Sequence, residues 1–184
     1  MSDRGHADLS ATTRSTAAEA LARARVPLGF AVTLVTIVLA RPMWSSWRAG
    51  LAVAIVGEII RVWAAGHLEK GTEVTRSGPY RRVQHPLYLG STIIAVGVAI
   101  ACRSAVVAVL IFIYMAATLT AAIRSEEAFL RRRFGETYER YRRSPAEPGT
   151  RRFSAARASR NREYRAIAGL ILGFSILAAK IVLN

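Results

Sequence analysis

The sequence predicts an all-α, polytopic membrane protein with about five transmembrane helices and a cytoplasmic N-terminus. Three observations carry that prediction. Of 184 residues, 52% are hydrophobic, yet 26 Lys+Arg against 12 Asp+Glu leave a formal net charge of +14. The apolar residues gather into five runs almost free of charge, and the basic residues gather between them. A disordered basic chain would lack the apolar content, and a soluble nucleic-acid binder is rarely so rich in it. The one cysteine, Cys102, excludes an internal disulfide framework and a multi-cysteine metal site. With only His6, His67 and His85, a histidine-rich zinc site is not expected either, and no metal is assigned.

The runs are 26–40, 49–65 (interrupted by Glu58 and Arg61), 87–102, 104–123, and 166–184, which holds only Lys180. Each is apolar nearly all round rather than along one stripe, the pattern of a membrane span. A straight span takes about 20 residues. The shorter runs therefore rely on the flanking Trp44, Trp47 and Trp63 and on snorkelling arginines to reach the interfaces. Segments 1–25, 66–86 and 124–165 carry 4, 4 and 13 of the Lys and Arg residues; the other side receives Arg41, Arg48, Arg103 and Lys180. The positive-inside rule then puts the N-terminus and both long polar segments in the cytoplasm. The third and fourth spans become a tight hairpin at Arg103.

Residues 1–25 read as a flexible cytoplasmic tail, and the first apolar run as a retained anchor rather than a cleaved signal. Residues 26–184 read as one membrane-embedded domain. The Arg-rich stretch 131–165 with its aromatics lies beside the spans, where anionic headgroups attract basic side chains, so no nucleic-acid partner is expected.

Two cytoplasmic segments hold the chemistry. The first, Ser77 to Gly90, contains Gly78-Pro79-Tyr80 and His85-Pro86-Leu87-Tyr88-Leu89-Gly90. Pro86 suits the first turn of a helix with His85 as its cap. A helix start entering the membrane offers unpaired N–H groups to an anion. Gly90 allows close approach of a backbone or ligand. The second is Arg124-Ser125-Glu126-Glu127, continuing to Phe134-Gly135 and Tyr138-Glu139-Arg140-Tyr141. Adjacent carboxylates at a membrane boundary need cationic or hydrogen-bonding partners: either the nearby arginines or a ligand with an amine, hydroxyls or a sulfonium. Plainer readings make His85 a helix cap, Tyr80 and Tyr88 interfacial aromatics, Gly90 and Gly97 packing residues, Glu58–Arg61 a structural pair, and His67 and Glu69 solvated.

Together the two segments resemble the integral-membrane methyltransferases, the group of isoprenylcysteine carboxyl methyltransferase and the phospholipid methyltransferases, over residues 57–141. The resemblance implies a compact helical fold binding S-adenosyl-L-methionine on the cytoplasmic side. It implies cofactor contacts at Thr72, Glu73, Val74, Thr75, Tyr80, His85, Pro86, Leu87, Tyr88 and Gly90, and a reacting site around Glu126 and Glu127. In the prenylcysteine enzymes an arginine precedes the acidic pair by one turn; here Ala122 stands there and Arg124 is the nearest basic residue. Gln84 stands where many relatives have arginine. The expectation is methyl transfer to a lipophilic acceptor at the cytoplasmic face of a bacterial membrane: a prenylcysteine-type carboxylate, a phospholipid amine or a small hydrophobic metabolite. Other readings are an NADPH-dependent reductase of the sterol-reductase type and a non-enzymatic membrane scaffold.

Overall fold

A computed structural model describes residues 27–143 and 151–183. The expected tail 1–25, His6 and the loop prolines Pro145 and Pro148 lie outside them. Among the described residues the chain is all helical: α1 (Pro27–Leu39), α2 (Trp44–Ala65), α3 (Pro86–Cys102), α4 (Ala105–Phe134), α5 (Glu136–Arg143), α6 (Ala155–Arg160) and α7 (Glu163–Leu183), with a 3-10 turn at Gly78–Arg81.

The expected apolar runs fall on α1, α2, α3, α4 and α7. Among the described residues, α4 and α7 are long and apolar enough to cross a membrane, while α1 and α3 are shorter apolar helices. Helix α1 is cut short because Pro42 cannot continue it. Helix α4 overruns its uncharged stretch. Its 30 residues span about 45 Å at 1.5 Å per residue, against a hydrocarbon core of roughly 30 Å. The charged last turns, with Glu126, Glu127 and Arg131 to Arg133, therefore project beyond the apolar segment. Large apolar side chains face outward on these helices, among them Phe30, Phe112 and Leu172. A soluble fold would hide them, and this outward apolar surface makes the protein membrane-associated.

The hairpin at Arg103 is present. Arg103 ends α3 in the left-handed conformation (φ 52°), and Ser104 caps α4 by accepting from the Val107 N–H. At this end of the bundle Ala40, Ala54, Ala101, Cys102, Val107, Phe174 and Leu177 form the core, with Trp47 against it. Its polar links are between helices. The Trp47 indole donates to the Phe174 carbonyl at 2.9 Å, the Arg41 N–H to Cys102 at 2.8 Å, and Lys180 Nζ to the carbonyls of Ile37 and Val38 at 2.7 and 2.8 Å. Lys180 thus satisfies carbonyls that the end of α1 leaves without helical partners.

Helices α2 and α3 are packed backbone to backbone. A Cβ placed on Gly57 would lie 2.7 Å from the Gly90 carbonyl oxygen, and one on Gly97 would lie 2.6 Å from that of Gly50. Helix α4 leans on α3 much more sparsely, and the space between them at the His85 end becomes a cavity.

Candidate active site

The cavity has a volume of about 1430 Å³ and mixed polar and apolar walls. One wall is the loop after α2, a second is the start of α3, and a third is α4 from Ala116 to Leu130. Pro86 opens α3 and His85 precedes it, so the imidazole stands at the mouth of the helix. Its Nδ1 lies 3.8 Å from Glu126 Oε2 and its Nε2 3.5 Å from Glu127 Oε1. The Nε2 is buried and makes no hydrogen bond of good geometry, which leaves a polar atom awaiting a partner. Glu127 is also 3.6 Å from Arg131, whose Nε reaches Glu139 of α5 at 3.1 Å.

Helix α5 closes the site from outside the apolar region. Gly135, with φ +47°, turns the chain from α4 into α5. Tyr141 then donates its hydroxyl to the Tyr80 carbonyl at 2.8 Å, Arg76 donates to the Thr137 carbonyl at 3.2 Å, and Arg133 donates to the Gly71 carbonyl at 2.7 Å. Gly78 takes φ +58°, and a side chain there would also strike the His67 ring, so both backbone and space call for glycine. Burial raises the Tyr80 phenol well above its ordinary range, helped by the Glu126 carboxylate, and burial pushes Tyr141 up to about 12. Both hydroxyls stay protonated at neutral pH, and that of Tyr141 is the donor to the Tyr80 carbonyl.

The cavity brings together Glu73, Val74, Thr75, Tyr80, His85, Leu87, Tyr88, Arg124 and Glu126 of the residues expected from sequence, and Gln84 lines it too. The others stand back from it. Thr72 is exposed and donates to the Glu69 carbonyl, Pro86 is fully buried in the first turn of α3, and Gly90 is pressed against Gly57 and Arg61. Glu127 meets the site through His85.

Two positions differ from the plainer readings, and the expected Glu58–Arg61 pair gains a third member. His67 is buried rather than solvated, with Nδ1 3.0 Å from the Ser77 hydroxyl. Burial, then Arg157 and Arg151, hold its imidazole below the ordinary range. Glu69 is paired with Arg157 at 2.6 Å, and this pairing holds its carboxyl below the usual range. Arg61 is 3.8 Å from Glu58, but its closer partner is Glu163 of α7 at 2.7 Å, and it also contacts Ser91. Arg61 and Ser91 both line the cavity. Nothing local in the sequence announces Glu163, which lies 102 residues away.

Membrane-associated helices around a cavity of mixed polar and apolar walls, with a histidine between two carboxylates, define a helical membrane protein. The chain belongs to the phospholipid methyltransferase family, which matches residues 25–137. It is 30% identical over 124 residues to the nickel-cobalt-cadmium resistance protein NccN of Alcaligenes xylosoxydans xylosoxydans, covering 62% of this chain and 58% of that one. It is 33% identical over 99 residues to the cobalt-zinc-cadmium resistance protein CzcN of Cupriavidus metallidurans, covering 53% and 44%. It is likewise 33% identical over 110 residues to a probable protein-S-isoprenylcysteine O-methyltransferase of Oryza sativa subsp. indica, covering 53% and 58%. The chain thus spans about half the length of these curated relatives. No solved structure matches it. The family and the rice relative are named for methyl transfer, the two bacterial relatives for metal resistance. Among the described residues no group of three or more His, Cys, Asp and Glu side chains is placed to hold a metal ion.

Proposed function

We propose that the protein transfers a methyl group from S-adenosyl-L-methionine to a lipophilic acceptor within the cavity between α3 and α4. The observation that carries this reading is His85 at the cavity wall between Glu126 and Glu127, with a buried Nε2 that lacks a hydrogen-bonding partner. Ligand pockets for single small molecules occupy roughly 300–1,000 Å³, so a cavity of about 1430 Å³ has room for a donor and the reacting end of an acceptor. Its carboxylates suit a cationic, hydroxyl-rich donor.

When bound, S-adenosyl-L-methionine supplies a methyl group already activated on a sulfonium. The chain's task is then to align two molecules and keep water out. Loop residues Glu73 to Thr75, with Tyr80, Leu87 and Tyr88, form the donor-side wall. His85 stands between the two carboxylates at the start of α3, with its Nε2 free to meet the ligand. Glu126 is placed to take a proton from an amine or hydroxyl acceptor, whereas a carboxylate acceptor needs no base and pairs with Arg124. A phospholipid amine, a prenylcysteine-type carboxylate and a small hydrophobic metabolite all fit this scheme. The acceptor enters sideways from the bilayer along α4, since its tail would otherwise have to leave the membrane. We place five spans in the bilayer, with the N-terminus and the cavity on the cytoplasmic side of a bacterial membrane, where the basic residues concentrate.

Calorimetric titration of the detergent-purified protein with S-adenosylhomocysteine tests the reading, with NADPH as the comparison ligand. The expected result is saturable binding of the first alone, weakened at least tenfold, or about 1.4 kcal/mol, by His85→Ala and by Glu127→Ala. Binding of NADPH instead would point to a reductase, and binding of neither to a scaffold.

A further inference from the structure

One cavity carboxylate and one segment of chain have no part in the proposed transfer. The carboxylate is Glu69. The segment is 151–163, which lies beyond the residues matched by the family and crosses the loop that leaves α2. Its contacts converge on that loop. The Ser154 N–H donates to the Gly66 carbonyl at 3.1 Å, and Arg157 Nη1 donates to the same oxygen at 2.6 Å. Asn161 Nδ2 donates to the carbonyls of Ala65 and Leu68, both at 2.9 Å. The Ala65 and Gly66 carbonyls lie at the C-terminal end of α2, which an isolated helix leaves unpaired, and that of Leu68 lies in the loop just beyond. The Phe153 ring lies over Gly66, where a side chain would run into it.

With one guanidinium thus fixed to the end of α2, its other edge holds Glu69. Arg157 Nε donates to Glu69 Oε1 at 2.6 Å, Arg160 approaches the same oxygen at 3.6 Å, and the Glu69 N–H donates to Thr75 Oγ1 at 3.3 Å. Glu69 and Thr75 both line the cavity. An ion pair of this partly exposed kind contributes little to stability. Its consequence is orientational: a flexible carboxylate on a loop becomes a fixed hydrogen-bond acceptor facing the cavity.

We propose that Glu69 is a binding residue for the methyl donor, accepting from its hydroxyl or ammonium groups, and that Arg157 is the positioning residue that holds it, segment 151–163 being the strap that supports both. This rests on the donor assignment made above. The test is a double-substitution cycle on the full-length protein in detergent, read as S-adenosylhomocysteine affinity, with Arg157→Lys as the conservative variant and thermal unfolding measured alongside. Glu69→Ala and Arg157→Ala are each expected to weaken binding at least tenfold. The double variant is expected to lose no more than about threefold beyond either one, because both changes remove the same oriented carboxylate. Arg157→Lys recovers part of the loss. The inference is overturned if Arg157→Ala lowers the unfolding temperature while affinity stays within twofold, or if the two losses multiply. If Arg157→Ala does not fold, Glu69→Ala and Arg157→Lys decide the matter, and wild-type affinity in both overturns it. No binding by the unsubstituted protein is a separate outcome, which removes the donor assignment and this inference together.

Discussion

Helix α3 has two neighbours in sequence and treats them in opposite ways. Against α2 it brings backbone to backbone, through Gly90 and Gly97 on one side and Gly50 and Gly57 on the other. Against α4 it is held at the Arg103 hairpin and the core around Val107, then separates to leave the cavity. In a bilayer, apolar surface alone gives helices little reason to associate, so close van der Waals contact between small residues has to do it. The α2–α3 pair is therefore the rigid part of the molecule, and the α3–α4 seam is where a ligand has room.

The largest effect should come from breaking the tight side. A side chain on Gly57 would meet the Gly90 carbonyl at 2.7 Å and the Ile94 N–H nitrogen at 2.8 Å, and backbone cannot move aside as a side-chain tip can. Gly57→Leu is expected to cost on the order of 3 kcal/mol and to yield protein that unfolds early or aggregates, as read by size-exclusion chromatography and thermal unfolding in detergent. An unchanged unfolding temperature would mean that the two helices do not approach this closely.

Next in size is the clasp that closes the open side. Tyr141→Phe removes the hydroxyl that donates to the buried Tyr80 carbonyl at 2.8 Å. Leaving that acceptor unpaired should cost about 1–3 kcal/mol and loosen α5 from the 3-10 turn, visible as faster amide exchange over 78–84. The seam itself should accept bulk that the tight pair cannot. Ala122→Trp, in the α4 wall of the cavity, is expected to leave the unfolding temperature within a few degrees while lowering methyl transfer about tenfold, near 1.4 kcal/mol in the barrier. A larger fall in stability than in activity would show that the seam is closed in the membrane.

The same contrast explains what could be read from sequence. The apolar runs, the Arg103 hairpin and the small residues Gly90 and Gly97 are legible because one-dimensional patterns encode them: charge-free length, turn residues, glycine spacing. The His85 and Glu126–Glu127 constellation was legible through its ordered motifs. Of α5 only the Tyr138–Tyr141 motif was, and helix α6 and the strap 151–163 were not. They are short and rich in arginine, and look like solvated surface until their partners are known. Arg157 finds Glu69 across 88 residues and Arg61 finds Glu163 across 102, and no periodicity reports a contact of that kind. For the same reason Glu69 and His67 read as solvated from sequence.

The smallest expected effect concerns pH and lies at the join between the tight pair and the strap. His67 is buried against Ser77, with the Trp63 and Phe153 rings 6.5 and 6.3 Å from its own. Burial, with Arg157 and Arg151 adding positive charge, depresses its folded-state pKa below the ordinary value near 6.5. The unfolded chain therefore takes up a proton at a higher pH than the folded protein does. The stability that neutral His67 confers is full above the ordinary imidazole range and is lost as pH falls through the depressed folded-state value. Glu69, also depressed, adds a similar loss only at more acid pH, below the carboxylate range. Between pH 7.5 and 5.5 the unfolding temperature should fall, and His67→Gln, which keeps a hydrogen-bonding group for Ser77 but cannot titrate, should flatten that dependence. Because Arg157 contributes to the depression, Arg157→Ala should raise the folded-state pKa toward the ordinary value and so shrink the acid loss, its onset staying where the unfolded chain takes up its proton. An acid loss undiminished in both variants would place the titrating group elsewhere.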